Sequence, residues 1–293
     1  MRLFSYKGRP FHLGPYPHER LARQTSLPDL AAMPPMQRLS FDDPDPESLS
    51  HAMARFIGMF DVVRDGQVNP VAGEIPNDLV ARSQHLKSAA YYFDATAAGV
   101  CRVPAQARLA EPIRNPMVAA LAAELESGQV KTFAAGMDMI YADVLDSARK
   151  VHGPIDSHDH ALVFAVEYWR DPGENEAGCD WIRGTQAQRA AMLAAQTAVL
   201  LSSYLRMLGF ESRAHSATCA DVDLGRLAVA SGLGQWQSGP GADGGALVNP
   251  YMGSRFGLAA VTTNLTMAPD QPLADAGLAD RIRSHGPRWW LGV

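Results

Sequence analysis

Cysteine is scarce in this chain. Three occur in 293 residues, at Cys101, Cys179 and Cys219, all far apart and with no C-x-x-C pair. That excludes a disulfide framework and a four-thiolate metal site built by the chain alone. Thiols so few and so scattered point to a reducing cytoplasm. Long hydrophobic runs are also missing: none approaches the roughly 18 residues that a membrane-spanning helix needs. No basic cluster stands ready to neutralise phosphates, and the formal net charge is −5. Neither nucleic acid nor an anionic lipid surface is therefore an expected partner. The first ten residues contain no apolar stretch of the kind that signal peptides carry, and no twin arginine. No internal repeat is visible.

What is present is enough apolar material for a sizeable core, at 47% of residues, in one large layered domain or two small ones. Eight prolines crowd residues 1–50: Pro10, Pro15, Pro17, Pro28, Pro34, Pro35, Pro44 and Pro46. Proline removes amide donors and resists helix interiors, so residues 1–50 read as an extended arm leading onto a body at 51–293. A helix is predicted from about Glu47 to Phe60, with Ser48 or Ser50 as cap. Helical spacing of Leu79, Leu86, Ala90 and Phe93 predicts a second over 78–98, with Asn77 at its cap and Gly99 just past its end. Further helices are predicted at 116–126, 132–150 and 185–208, and one runs from Asp221 or Asp223 through Ser231. Strands are expected at Val100–Val103, Ala161–Tyr168, Phe210–His215, Gly245–Val248 and Phe256–Thr263. Ala161–Tyr168 is nearly all apolar, as a strand buried on both faces should be. This alternation argues for an α+β (α/β layered) domain.

The segments from Gln196 to Leu273 follow an unusual order. A long alanine-rich helix ends in Leu208-Gly209-Phe210. Then come Asp223–Gly234 (DLGRLAVASGLG), Leu247–Phe256 (LVNPYMGSRF), Leu258–Leu265 (LAAVTTNL) and Ala268–Leu273 (APDQPL). His85–Pro104 and Ala161–Tyr168 precede them in matching order. Together these segments are similar to the cobalamin-binding region of reductive dehalogenases and of the related epoxyqueuosine reductases, over about residues 79–273. The resemblance implies a nitroreductase-like α+β domain that cradles cobalamin. Gly232, Gly234, Gly253 and Gly257 become candidates for close approach to the corrinoid, since a glycine has no Cβ to intervene. Asn249, Tyr251, Ser254 and Arg255 join Gly232, Gly234 and Gly253 as the implied cofactor-binding set. Arg255 would offer forked donors to a phosphate or propionamide oxygen, and the Gly239–Gly245 loop would offer backbone amides to a phosphate. No residue matches the family's catalytic acid.

The chain also departs from that pattern. Cysteine is absent after Pro272, where family members carry two iron–sulfur clusters that feed electrons to the corrinoid. An expected "TDLP" reads Thr263-Asn264-Leu265-Thr266. Some members resemble two fused halves, the first without clusters, and this chain resembles such a first half. The resemblance thus implies a corrinoid-binding domain for reductive carbon–halogen cleavage that depends on an iron–sulfur-bearing reductase half or partner. One alternative is a non-catalytic module docking such a half. Another is a flavin-binding nitroreductase relative.

Other candidates have simpler readings. His152, His158 and His160, with Asp156 and Asp159, admit a metal site, but a solvated loop before the Ala161 strand is the simpler one, and no metal is expected. Tyr91, Tyr92 and Phe93 read as core. Cys101 and Cys219 read as small buried hydrophobes, and Trp289-Trp290 as an interface anchor or a link into a further domain.

Overall fold

The computed structural model of the protein describes residues 17–41, 45–127, 145–150, 152–238 and 245–274. At its centre lies an antiparallel sheet of four strands. Their order is β1 (Ala97–Arg102), β3 (His160–Glu167), β8 (Phe256–Thr263) and β4 (Ser212–His215). The apolar run foreseen at 161–168 is the second strand of this order, paired on both edges. Its side chains alternate, as a pleated strand requires. Leu162, Phe164 and Val166 enter one core layer, and the smaller Ala161, Val163 and Ala165 enter the other.

The large-residue face is covered by α2 (Leu79–Tyr92) and α5 (Gln186–Met207). Helix α5 presents Ala190, Ala194, Ala198, Leu201 and Leu205 to the sheet, and its alanines let it lie close. At Gly257 on β8 an added Cβ would come within 2.7 Å of the Ala190–Ala191 backbone. The small-residue face is covered by α6 (Leu224–Ala230), through Leu224, Leu227 and Ala228, and by Met252. Antiparallel strands between helical layers make this an α+β fold.

Helix starts follow from capping side chains. Ser48 Oγ accepts from the His51 amide at 3.1 Å at the start of α1 (Leu49–Val62). Asn115 Oδ1 accepts from Met117 at 3.0 Å ahead of α3 (Pro116–Glu126), whose proline sits at the first turn. Asp223 Oδ1 accepts from Arg226 at 3.0 Å and caps α6. Helix α2 differs from expectation at both ends. Its cap is Asp78, not Asn77, and it stops at Tyr92, with Asp94 in the left-handed region at φ 69°. Gly99 lies inside β1, where a Cβ would come within 2.6 Å of the Ser231 carbonyl oxygen. Glycine is thus needed there for packing, and not to end a helix. Residues up to 144 of the helix predicted at 132–150 lie outside the described residues.

Two small two-stranded sheets are also present, and of their four strands only the one at Gly245–Val248 was foreseen. Strand β2 (Arg108–Ile113) pairs with β5 (Ala220–Val222), and β6 (Gln235–Ser238) pairs with β7 (Gly245–Val248). Residues 17–41 lie along the body. Leu30 and Met33 pack on Val229, Phe41 packs among Met53, Ile57 and Ala191, and Arg23 bridges to Leu273.

Candidate functional site

The segment from Gly232 to Arg255 leaves α6, runs through the β6–β7 pair and turns at 249–253 before β8. The turn is held by one side chain. Asn249 is fully buried. Its Nδ2 donates to the Leu233 carbonyl at 2.5 Å, and its Oδ1 accepts from the amides of Tyr251 at 2.8 Å and Met252 at 3.2 Å. Asn249 and Gly253 also exchange both backbone bonds, at 2.8 and 2.9 Å, with Gly253 at φ 61°.

Gly232, Asn249 and Tyr251 come together around an element that sequence reasoning did not name, the stretch His18–Arg23. Gly232 adopts φ 67°. Its carbonyl accepts from Arg23 Nη1 at 3.0 Å, and the same nitrogen donates to the Gln271 carbonyl at 2.9 Å. A Cβ on Gly232 would overlap both the guanidinium and that carbonyl oxygen. His18 is 1% exposed and meets Tyr251 edge-on, with ring centroids 6.4 Å apart. Its ring nitrogens face the Gly232–Leu233 backbone without closing a hydrogen bond of good geometry. Burial, aided by the Arg23 charge, pushes its pKa down to about 3, so the ring is neutral. Burial raises the Tyr251 phenol. Lys87 completes this clasp, bonding Glu19 at 2.6 Å and Asp270 at 3.1 Å.

Ser254 and Arg255 are not drawn in; both are exposed. Ser254 borders a cavity of about 360 Å³ with Met33, Trp236 and Leu258. Gly234 borders another of about 350 Å³ with Met33, Trp236 and Leu273. Residues 239–244, from the expected phosphate-holding loop, lie outside the described residues, as do Trp289 and Trp290.

A corrinoid laid on this backbone would need the space that Arg23 and Gln271 fill at Gly232, that Leu247 and the Val248 carbonyl fill at Gly234, and that α5 fills at Gly257. Each cavity is near the lower end of pockets that enclose drug-sized ligands, and a corrinoid is several times larger. Among the described residues, the segment does not fit the macrocycle.

A second polar cluster was only half foreseen. Arg64, almost fully buried, donates to Asp221 at 2.9 Å. Arg213 bridges Asp221 at 3.2 Å and Asp65 at 2.8 Å, and Asp65 also meets His152 at 3.1 Å. His158 Nδ1 and His215 Nε2 each lie 2.8 Å from Thr262 Oγ1. Against the desolvation that would raise Asp65 and Asp221, these basic neighbours hold both carboxyls below the usual range. Burial lowers His158 to about 4 and His215 well below its ordinary value. His158 and His160 are therefore buried, and the solvated-loop reading fails for them. The cue was their place beside the most apolar strand. Among the described residues no group of His, Cys, Asp and Glu could hold a metal ion. All three cysteines are buried, and burial raises the Cys101 and Cys219 thiols. The cluster ties the stretch after α1 to β4, β5 and β8, and two of the Arg64 guanidinium nitrogens, Nε and Nη2, are buried in it without a hydrogen-bond partner among the described residues.

No family model and no curated protein matches the chain. Solved structures do. The catabolic reductive dehalogenase NpRdhA aligns at 35% identity over 94% of this chain and 32% of its own, with a TM-score of 0.64. Its complex with 3-bromo-4-hydroxybenzoic acid aligns at 34% identity over the same shares, with a TM-score of 0.65. A further dehalogenase structure, described in terms of B12-dependent dehalogenation, aligns at 34% identity. Epoxyqueuosine reductase aligns at 15% identity with a TM-score of 0.39, too low to carry an argument. The chain thus spans about a third of the length of these dehalogenases. Matched over 94% of its length at 35% identity, it belongs to the reductive dehalogenase family.

Proposed function

We propose that this chain is a non-catalytic module of a reductive dehalogenase-type assembly, whose corrinoid and iron–sulfur chemistry sit in a catalytic half that it docks. One observation carries the reading. At Gly232, where family resemblance puts cofactor approach, the backbone is already engaged by Arg23 and Gln271. The chain's share of its relatives, 32% of their length, agrees with a part of a larger machine. So does the lack of cysteine after Pro272. The partner on this reading is an iron–sulfur-bearing reductase half in the same cytoplasm. The test is to mix the purified protein with hydroxocobalamin, pass it through gel filtration and record the visible spectrum. No corrinoid should co-elute; stoichiometric retention overturns the reading.

A second reading, in which the chain itself holds cobalamin in a nitroreductase-like domain, is favoured by Arg255. Its exposed guanidinium has no hydrogen bond or ion pair among the described residues, and its charge bears on Tyr168. Such a fork suits a phosphate or propionamide oxygen. Corrinoid retained by the wild type and lost in Arg255→Ala would establish this reading over the first.

A further inference from the structure

Helix α1 has two apolar faces, and the fold uses one. Met53, Ala54 and Ile57 pack inward with Ala191 and Ala195 of α5. The outward positions are Leu49, Ala52, Phe56, Met59 and, at the cap, Val63, at spacings of three and four, and every one is apolar. Leu49 is 42% exposed, Phe56 55%, Met59 51% and Val63 37%. The two charged side chains of the helix are already committed. Arg55 clasps Glu124 of α3 through two bonds, at 2.8 and 2.7 Å. Asp61 is buried and accepts from Thr218, Ser216 and Asn115. In the fold neither side chain is directed onto the outward row.

The neighbouring helix covers part of α1, and its own large apolar side chains, Met117, Val118, Leu121 and Leu125, are half-buried. Helix α3 reads PMVAALAAELE and has no buried residue, although Met117 and Leu121 press on Gly58 of α1, where a Cβ would come within 2.8 Å. Soluble monomers rarely leave a continuous apolar stripe open to water.

The size of the relatives says what covers it. This chain accounts for 32% of the NpRdhA chain, so about two thirds of such a protein has no counterpart here. We infer that the outward face of α1, centred on Phe56 and Met59, is the surface that receives the catalytic remainder of a reductive dehalogenase, and that the receiving surface on that partner is apolar. The inference rests on the module reading above and adds the face and its chemistry.

To test it, the tagged chain is co-expressed with an NpRdhA chain from which the matching third has been deleted, and captured. The wild type should carry that remainder through purification. The double variant Phe56→Glu, Met59→Glu should lose at least ten-fold in captured remainder while keeping the wild-type circular dichroism and melting temperature, since both side chains face water. Trp181→Glu, at a residue 77% exposed on the short helix α4 (Cys179–Ile182), should capture as the wild type does. Capture that survives the double substitution overturns the face and leaves the module reading standing. No capture by the wild type overturns the inference. So does a wild-type dimer that the double variant abolishes, because a second copy is then the occupant. A double variant that unfolds also overturns it, since the face is then covered by the chain's own residues.

Discussion

Arg23 and Gly232 are 209 positions apart in sequence and joined by a 3.0 Å bond from guanidinium to carbonyl. The glycine is required twice over at this contact, by its φ of 67° and by the lack of room for a Cβ. Gly232→Ala should therefore cost about 1–3 kcal/mol. In an Arg23→Ala background most of that cost should persist, because the Gln271 carbonyl and the left-handed backbone remain. Urea denaturation of the two single variants and the double variant separates the two causes.

Asn249→Ala should cost about 3 kcal/mol, because two turn amides and the Leu233 carbonyl lose a buried partner at once. Were Asn249 a ligand contact only, its loss would leave the unfolding midpoint in place. Differential scanning calorimetry decides between these.

Asp221→Asn should be among the most damaging polar changes in the chain. It leaves Arg64 and Arg213 facing each other in the interior without their shared carboxylate, at a cost of about 3–5 kcal/mol. Arg114 reaches the same carboxylate from a half-exposed position, so Arg114→Ala should cost less than about 1 kcal/mol. Equilibrium unfolding of the pair shows whether burial governs the difference.

Stability should fall as the pH drops from about 7 to about 5. His18, His158 and His215 have folded pKa values below 6.5. The unfolded chain therefore binds more protons in this window, and acid favours unfolding. Asp61 opposes them. Burial raises it to about 6, so its contribution is present below 3.8 and lost as the pH rises through 6. Three groups against one sets the net sign. Melting temperatures across this range should decline towards acid, and a flat profile would contradict the assignment. Below about pH 4, protonation of Asp65 and Asp221, both held low in the fold, should steepen the loss.

Much of the frame was legible because local signals and packing agree. The Ala161 strand is apolar at successive positions, and the fold does bury both its faces. Ser48 and Asp223 cap helices because short side-chain oxygens reach amides two or three residues on. Gly209, at φ 85°, ends α5 as the pattern predicted. The misses share a different cause. Gly99 looks like a helix terminator in isolation, and only the approach of Ser231 shows why it is small. Strand β2 is half exposed and pairs with β5, which is three residues long. No periodicity advertises such a pair. For the candidate site, the sequence marked Gly232, Asn249 and Tyr251 as a group and the fold brings them together. It gave no sign that His18 and Arg23, more than two hundred residues earlier, would meet them. Contacts at that separation leave no local trace.

The pairing of Arg23 with Leu273, extended by the Gln24 amide on Pro272 and the Ala274 amide on Ala22, acts as a latch between stretches near opposite ends of the chain. A ring closed across nearly the whole sequence carries a large entropic cost that only a completed interior can offset, and contacts of such high order form slowly. The latch should thus shut last during folding and open first during unfolding. Trimming either stretch would free the other, and proteases would then report the state of both ends together.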